Sequence, residues 1–180
     1  MRAITSVKRI ANPYSRRILS NVIGREPVKI LSSTPGRLRR LMAGLSEKQL
    51  RTRPGKGRWA IVQIVSHLAD SEIVVAFRLR MAIAQSGSPL QATDQDKWAA
   101  GLKYQRASVR QKLELFTFLR KDTVALLRSL KPEAWSRYGM HEERGKETVE
   151  RIAQMYAGHD VNHVRQVETI RHLFLNRPHK

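Results

Sequence analysis

Cysteine is absent from the 180 residues. That excludes disulfides, iron–sulfur clusters and thiolate-bound zinc, so any transition metal must rest on histidine and carboxylate ligands. Long apolar runs are missing too: no stretch approaches the roughly 18 residues that span a bilayer. The basic start, with Arg2, Lys8, Arg9, Arg16 and Arg17, is not followed by the apolar segment of about 7 to 15 residues that a signal peptide requires. The expectation is a cytoplasmic protein with no membrane partner. Acidic residues are scarce, 15 against 34 Lys and Arg, which leaves a formal charge of +19. Such a field attracts nucleic acid, anionic lipid or an anionic substrate. The basic residues are nevertheless dispersed, with no glycine-rich phosphate loop and no aromatic-rich basic segment beside them. A solvated basic surface is the favoured reading, with nucleic acid as the alternative partner.

What is present is helical periodicity over one domain's length. Residues 1–30 are basic and poorly periodic, broken by Pro13, Gly24 and Pro27, and read as an N-terminal arm with at most a short helix. Thr34 and Pro35 have the form of an N-cap and first helical residue, and Leu38, Leu41, Met42 and Leu45 predict a first helix over 35–44. Ser46 and Gln49 form a capping-box pattern for a further turn. Ile61, Ile64, Val65, Leu68, Val75, Leu79 and Ile83 predict a long second helix over 59–85, and residues 87–107 a long connection. Ser108 opens a third helix that stops near Pro132, residues 136–147 read as loop, and Thr148 caps a fourth. No strand pattern competes. The expectation is an all-α four-helix bundle over 31–180.

His159 and His163 are four apart and share one helix face with Ile152, Tyr156, Gln166 and Ile170. That face is the apolar stripe, so both imidazoles should point inward, where an unsatisfied polar group costs about 1–3 kcal/mol. His67 lies on a similar stripe of the second helix. Three neutral imidazoles and an open position are the ligand set of a catalytic zinc. Spacing nominates His67, His159 and His163 but leaves open histidines satisfied by water or other side chains. Asp160 stands where the helical zinc-protease motif has Glu, which argues against a metalloprotease and leaves Asp160 to support a ligand, to cap, or to face solvent. His141 precedes the fourth helix and is placed near a site mouth, whereas His172 and His179 are expected in solvent.

Gly57-Arg58-Trp59 leading into His67-Leu68-Ala69-Asp70-Ser71-Glu72, then Arg78 and Arg80, resembles the DinB-like superfamily. Asp94-Gln95-Asp96-Lys97-Trp98-Ala99 in the long connection is similar to members of the bacillithiol transferase type. A third block holds Gly139, His141, Glu142, Gly145, Thr148 and Val149, then Ala157, His159, Asp160, His163 and Gln166. The resemblance covers residues 34 to about 172 and implies a four-helix bundle of DinB-like type. It also implies a divalent metal ion, zinc or nickel, on His67, His159 and His163. It further implies a metal-dependent thiol transferase or hydrolase that uses a small-molecule thiol and an electrophilic substrate, with a homodimer possible.

Asp70, Glu72 and Asp160 are then candidate catalytic carboxylates, with salt bridges as the other reading of Asp70 and Glu72. Gln166 is a supporting residue rather than a ligand, because an amide binds zinc poorly. Arg78 and Arg80 are expected to pair with Asp94 or Asp96 and pin the long connection, and Trp59 and Trp98 to act mainly as packing anchors. The competing class is a non-catalytic, metal-binding stress protein that engages nucleic acid through its basic surface.

Overall fold

A computed structural model of the chain describes residues 4–175. Its frame is four long helices, α2 (Pro27–Met42), α4 (Ile61–Ala84), α6 (Val109–Ser129) and α7 (Val149–Leu175). Around them lie α1 (Pro13–Ser20), α3 (Glu47–Arg51), α5 (Gln95–Gly101) and short 3-10 turns at Tyr104–Arg106 and Pro132–Ser136. Helix α2 packs on α6 and α7, and α4 packs on the same two. Among the described residues no helix is long and apolar enough to cross a membrane.

Several local signals act as their chemistry dictates. The Ser46 hydroxyl accepts from Gln49 N–H at 3.3 Å while Gln49 Oε1 accepts from Ser46 N–H at 2.8 Å, the reciprocal capping box that starts α3. Ser108 caps α6 and Thr148 caps α7 through backbone N–H groups of Gln111 and Arg151.

Helix α2, however, begins at Pro27, not at Thr34 and Pro35, so the expected cap lies inside it. Pro27 supplies the preset φ of a first helical residue. Pro35 lacks the N–H that would bond the Leu31 carbonyl four residues back. That carbonyl instead accepts from Arg120 Nη1 at 3.1 Å, so the interior proline is satisfied from a neighbouring helix.

The interior is divided. One apolar cluster gathers Leu31, Val75, Leu79, Val124 and Val161 with residues of α1, and a second gathers Leu38, Leu68, Phe116, Val164 and Ile170. Arg120, Glu72 and Asp160 occupy the level between them, since each lies between members of the two clusters on its own helix.

The described residues before α2, from Ile4 on, belong to the packed body. Ile4, Ile18, Leu19 and Val22 are buried in the first cluster, and Asn12 caps α1 by accepting from Ser15 N–H at 2.9 Å. The α1–α7 approach is close: a Cβ on Gly158 would stand 2.2 Å from the Ile18 carbonyl oxygen.

Three short strands also form, against the expectation of none. β1 (Pro89–Leu90) runs parallel to β2 (Tyr138–His141), and β2 pairs antiparallel with β3 (Gly145–Thr148). They are too short, and too mixed in composition, to show alternation in the sequence. Gly139 is required there because a Cβ would meet Leu90 Cγ at 2.5 Å.

Gly158→Ala should displace α1 from α7 and lower stability by about 1–3 kcal/mol through overpacking. Urea denaturation measures this, and an unchanged midpoint would show that the helices separate without cost.

Candidate metal centre

Helix α4 is buried all round over residues 61–70, which carries His67 into the interior, and α7 presents His159 and His163 one turn apart. The Nε2 atoms of His67 and His159 are 2.9 Å apart, and those of His159 and His163 3.1 Å. Among the described residues, these three form the cluster able to share an ion, and no carboxylate joins it. Trp59, half-buried just before α4, stacks on His163 with ring planes 13° apart and meets His67 edge-on at 5.2 Å. Tyr156 lies 5.9 Å from His159, ring centre to ring centre.

The electrostatics keep these rings neutral. Burial, assisted by His163, pushes His67 down to about 3. Burial pushes His163 down to about 4 against the raising effects of Gln166 and Asp160. His159 is lowered too, by burial first and then by His163, His67 and Arg120. A neutral imidazole offers one lone pair, and its tautomer follows from its other nitrogen. His163 Nδ1 lies 2.9 Å from Gln166 Oε1, an acceptor, so the ring proton belongs on Nδ1 and the Nε2 lone pair faces the cluster. A tetrahedral ion with Zn–N bonds of about 2.0–2.1 Å would set nitrogens about 3.3 Å apart, close to the observed spacings. The residues therefore fit a divalent ion on an all-nitrogen site.

The three candidate carboxylates lie elsewhere. Asp70 accepts from Lys112 Nζ at 2.7 Å. Glu72 accepts from Arg120 Nε at 2.8 Å, and Asp160 receives Nη1 and Nη2 of the same guanidinium. All three are buried in ion pairs, which accounts for their inward placement without a proton-transfer role. Of the other expected residues, Gln166 contacts His163, and His141 is buried in β2 on the cavity that the three histidines share. His172 is exposed as expected, and His179 lies outside the described residues.

The arginine expectation needs correction. Arg78 donates to Tyr156 Oη at 2.9 Å and to the Gln91 carbonyl, and Arg80 pairs with Asp122 at 2.5 Å. The connection is pinned through a backbone carbonyl, while Asp94 caps α5 by accepting from the N–H groups of Asp96 and Lys97. Trp98 is half-buried, and Trp59 packs against the site itself.

Arg120 and the α1 residues escaped the sequence reading. Arg120 had a signal, because it falls on the stripe of Phe116, Val124 and Leu127 where the pattern calls for an apolar residue. The α1 segment had one too, because Ser15, Ile18, Leu19 and Val22 recur at helical spacing, but the stripe is short and lies between the breaks at Pro13 and Gly24.

A cavity of about 440 Å³ borders all three histidines, with Ser71, Tyr156 and Asn162 among its walls. A second, of about 690 Å³, adjoins His163 from the side of Trp59 and the Pro54–Trp59 turn.

The sequence profile described as the DinB superfamily matches residues 30–167. A protein of Oceanobacillus iheyensis, named "Putative metal-dependent hydrolase OB0782", is 28% identical over 152 residues, covering 84% of this chain and 88% of its own. Among solved structures, YfiT from Bacillus subtilis, described as a probable metal-dependent hydrolase with an unusual four-helix bundle topology, superposes with a TM-score of 0.77 at 23% identity. That superposition covers 82% of this chain and 85% of YfiT. The mycothiol-dependent maleylpyruvate isomerase superposes with a TM-score of 0.61 at 10% identity over 84% of this chain and 61% of its own. At these identities the two structures establish the shared bundle.

Arg120→Met should leave Glu72 and Asp160 as uncompensated buried charges and cost about 3–5 kcal/mol. Urea denaturation at neutral pH reads the loss, and a change below about 1 kcal/mol would mean the carboxylates find other partners.

Proposed function

The chain belongs to the DinB superfamily, and from that premise we propose that it is a metal-dependent enzyme acting on a small electrophilic molecule. The reaction is transfer of a low-molecular-weight thiol or hydrolysis, with His67, His159 and His163 holding one divalent ion, zinc or nickel. The observation that carries this reading is the convergence of three neutral imidazole nitrogens on a cavity large enough for a small ligand. When bound, such an ion acidifies a water or thiol and polarises the group under attack.

The chain's own residues do the rest. Gln166 holds His163 in the tautomer whose Nε2 lone pair faces inward, and Trp59 fixes the ring plane. Arg120 holds Asp160 and therefore the turn of α7 that carries His159, so Glu72 and Asp160 are positioning residues in this reading. Asp70 does the same through Lys112. Two relatives support the class of reaction: one is named for metal-dependent hydrolysis and one is a thiol-dependent isomerase.

Elemental analysis of protein purified without an affinity tag should find close to one equivalent of metal. The His159→Ala/His163→Ala variant, shown folded by circular dichroism, should hold almost none. If the parent holds no more than the variant after incubation with zinc and nickel, the metal-enzyme reading fails and salt-dependent nucleic-acid binding becomes the property to measure.

A further inference from the structure

The wall of the cavity facing the histidines is cationic. Arg17, Arg78 and Arg144 line it together with His141, against one exposed carboxylate, Glu143. Arg144 already has its counterion: Nε and Nη2 each donate to Glu147 at 2.8 Å. Arg78 does not. It is 5% exposed, its two Nη atoms donate to neutral oxygens of Tyr156 and Gln91, its Nε has no acceptor, and among the described residues no carboxylate pairs with it. A guanidinium buried against neutral oxygens keeps much of its desolvation cost, and an anion in the adjoining cavity would offset it. Arg17, on α1, likewise has no ion pair among the described residues and leans over the Tyr14 ring at 5.6 Å.

His141 adds a neutral donor. It is 3% exposed, and its Nδ1 accepts from the Glu143 N–H at 3.1 Å. That contact assigns the ring proton to Nε2, which is buried and has no hydrogen-bond partner. Burial, then Arg144 and Arg78, push His141 down to about 4, so at neutral pH the ring is uncharged and its Nε2–H is a donor in want of an acceptor.

We propose that this cavity binds the anionic group, carboxylate or phosphate, of a small organic substrate through Arg78, Arg17 and the His141 Nε2–H, leaving the remainder of the molecule beside the three histidines. The assignment rests on the reading of that centre as one acting on small molecules, and it narrows the substrate to acidic ones. Arg17 precedes residue 30, where the family match begins, so part of the acid selectivity comes from a segment outside the matched region.

Isothermal titration of the full chain, zinc-loaded and chelator-treated, with succinate, inorganic phosphate and neutral succinamide tests it. At least one anion should bind, with succinamide about tenfold weaker or more, and the tighter anion identifies the group. Arg17→Gln and His141→Phe should each weaken that anion about tenfold while holding the parent's metal content. Arg110→Gln, which removes an exposed charge of α6, should leave it unchanged. Arg78 is not used, because it also ties Tyr156 to the Gln91 carbonyl.

The proposal is overturned if succinamide binds as tightly as both anions, if neither variant weakens the anion, or if Arg110→Gln weakens it equally. Metal is measured on the same samples, so a parent that lacks metal yet selects anions sinks the metal reading alone.

Discussion

One guanidinium reaches all four long helices. Arg120 leaves α6 and donates to Glu72 on α4, to Asp160 on α7 and to the Leu31 carbonyl on α2. Burial opposes its charge, but Asp160 and Glu72 outweigh that and raise its pKa. A buried ionic group adds little net stability compared with apolar packing, because desolvation of three charges consumes most of the attraction. What it supplies is discrimination: a bundle in which one helix slides or rotates leaves a carboxylate or a carbonyl unsatisfied in the interior. Pro35 extends the logic, since by withholding its N–H it frees the carbonyl that Arg120 takes. Proline and arginine, both poor choices for a helix interior when taken singly, are compatible here as a pair.

The consequence reaches the candidate centre through adjacency. Asp160 follows His159 directly, and Glu72 lies just past one turn from His67, so the contacts that set the level of α4 against α7 also set where their imidazoles meet. Three nitrogens within 4.8 Å of one another, those of His67 and His163 at 2.9 and 3.1 Å from that of His159, demand a precision that greasy side chains alone do not impose, because apolar contacts tolerate sliding. The ionic level between the two apolar clusters fixes the height, and Trp59 and Gln166 fix the ring orientations. The three histidines on neighbouring helices are thereby backed by a layer of structure that lies outside their cluster.

The long helices and the three histidines were legible because both follow from a 3.6-residue period: His67, His159 and His163 stand on apolar stripes, and interior polar residues on such stripes are conspicuous. The same rule applied to α6 would have exposed Arg120, and attention to that stripe's hydrophobes hid it. Other features have no local signature. Thr34-Pro35 carries the chemistry of a helix start, and only the tertiary acceptor of the Leu31 carbonyl's lost bond turns it into a helix interior. The strands hold between two and four residues each, below the length at which alternation means anything, and their pairing spans distant parts of the chain. The wall built by α1 depends on Gly158 admitting the Ile18 carbonyl, a contact between segments that no periodicity links.

The hairpin of β2 and β3 runs into α7 without an intervening residue, Thr148 ending the strand and Val149 starting the helix. It contributes His141 to the cavity while Met140, Glu142 and Lys146 face outward, exposed. A chain arranged this way separates what must be kept from what can drift. Mutations in the hairpin can reshape the cavity wall one residue at a time, while His159 and His163 lie two or more turns further along a helix clamped by the Asp160 ion pair. Such modularity lets one scaffold vary the walls of its cavity without disturbing the histidine cluster behind them.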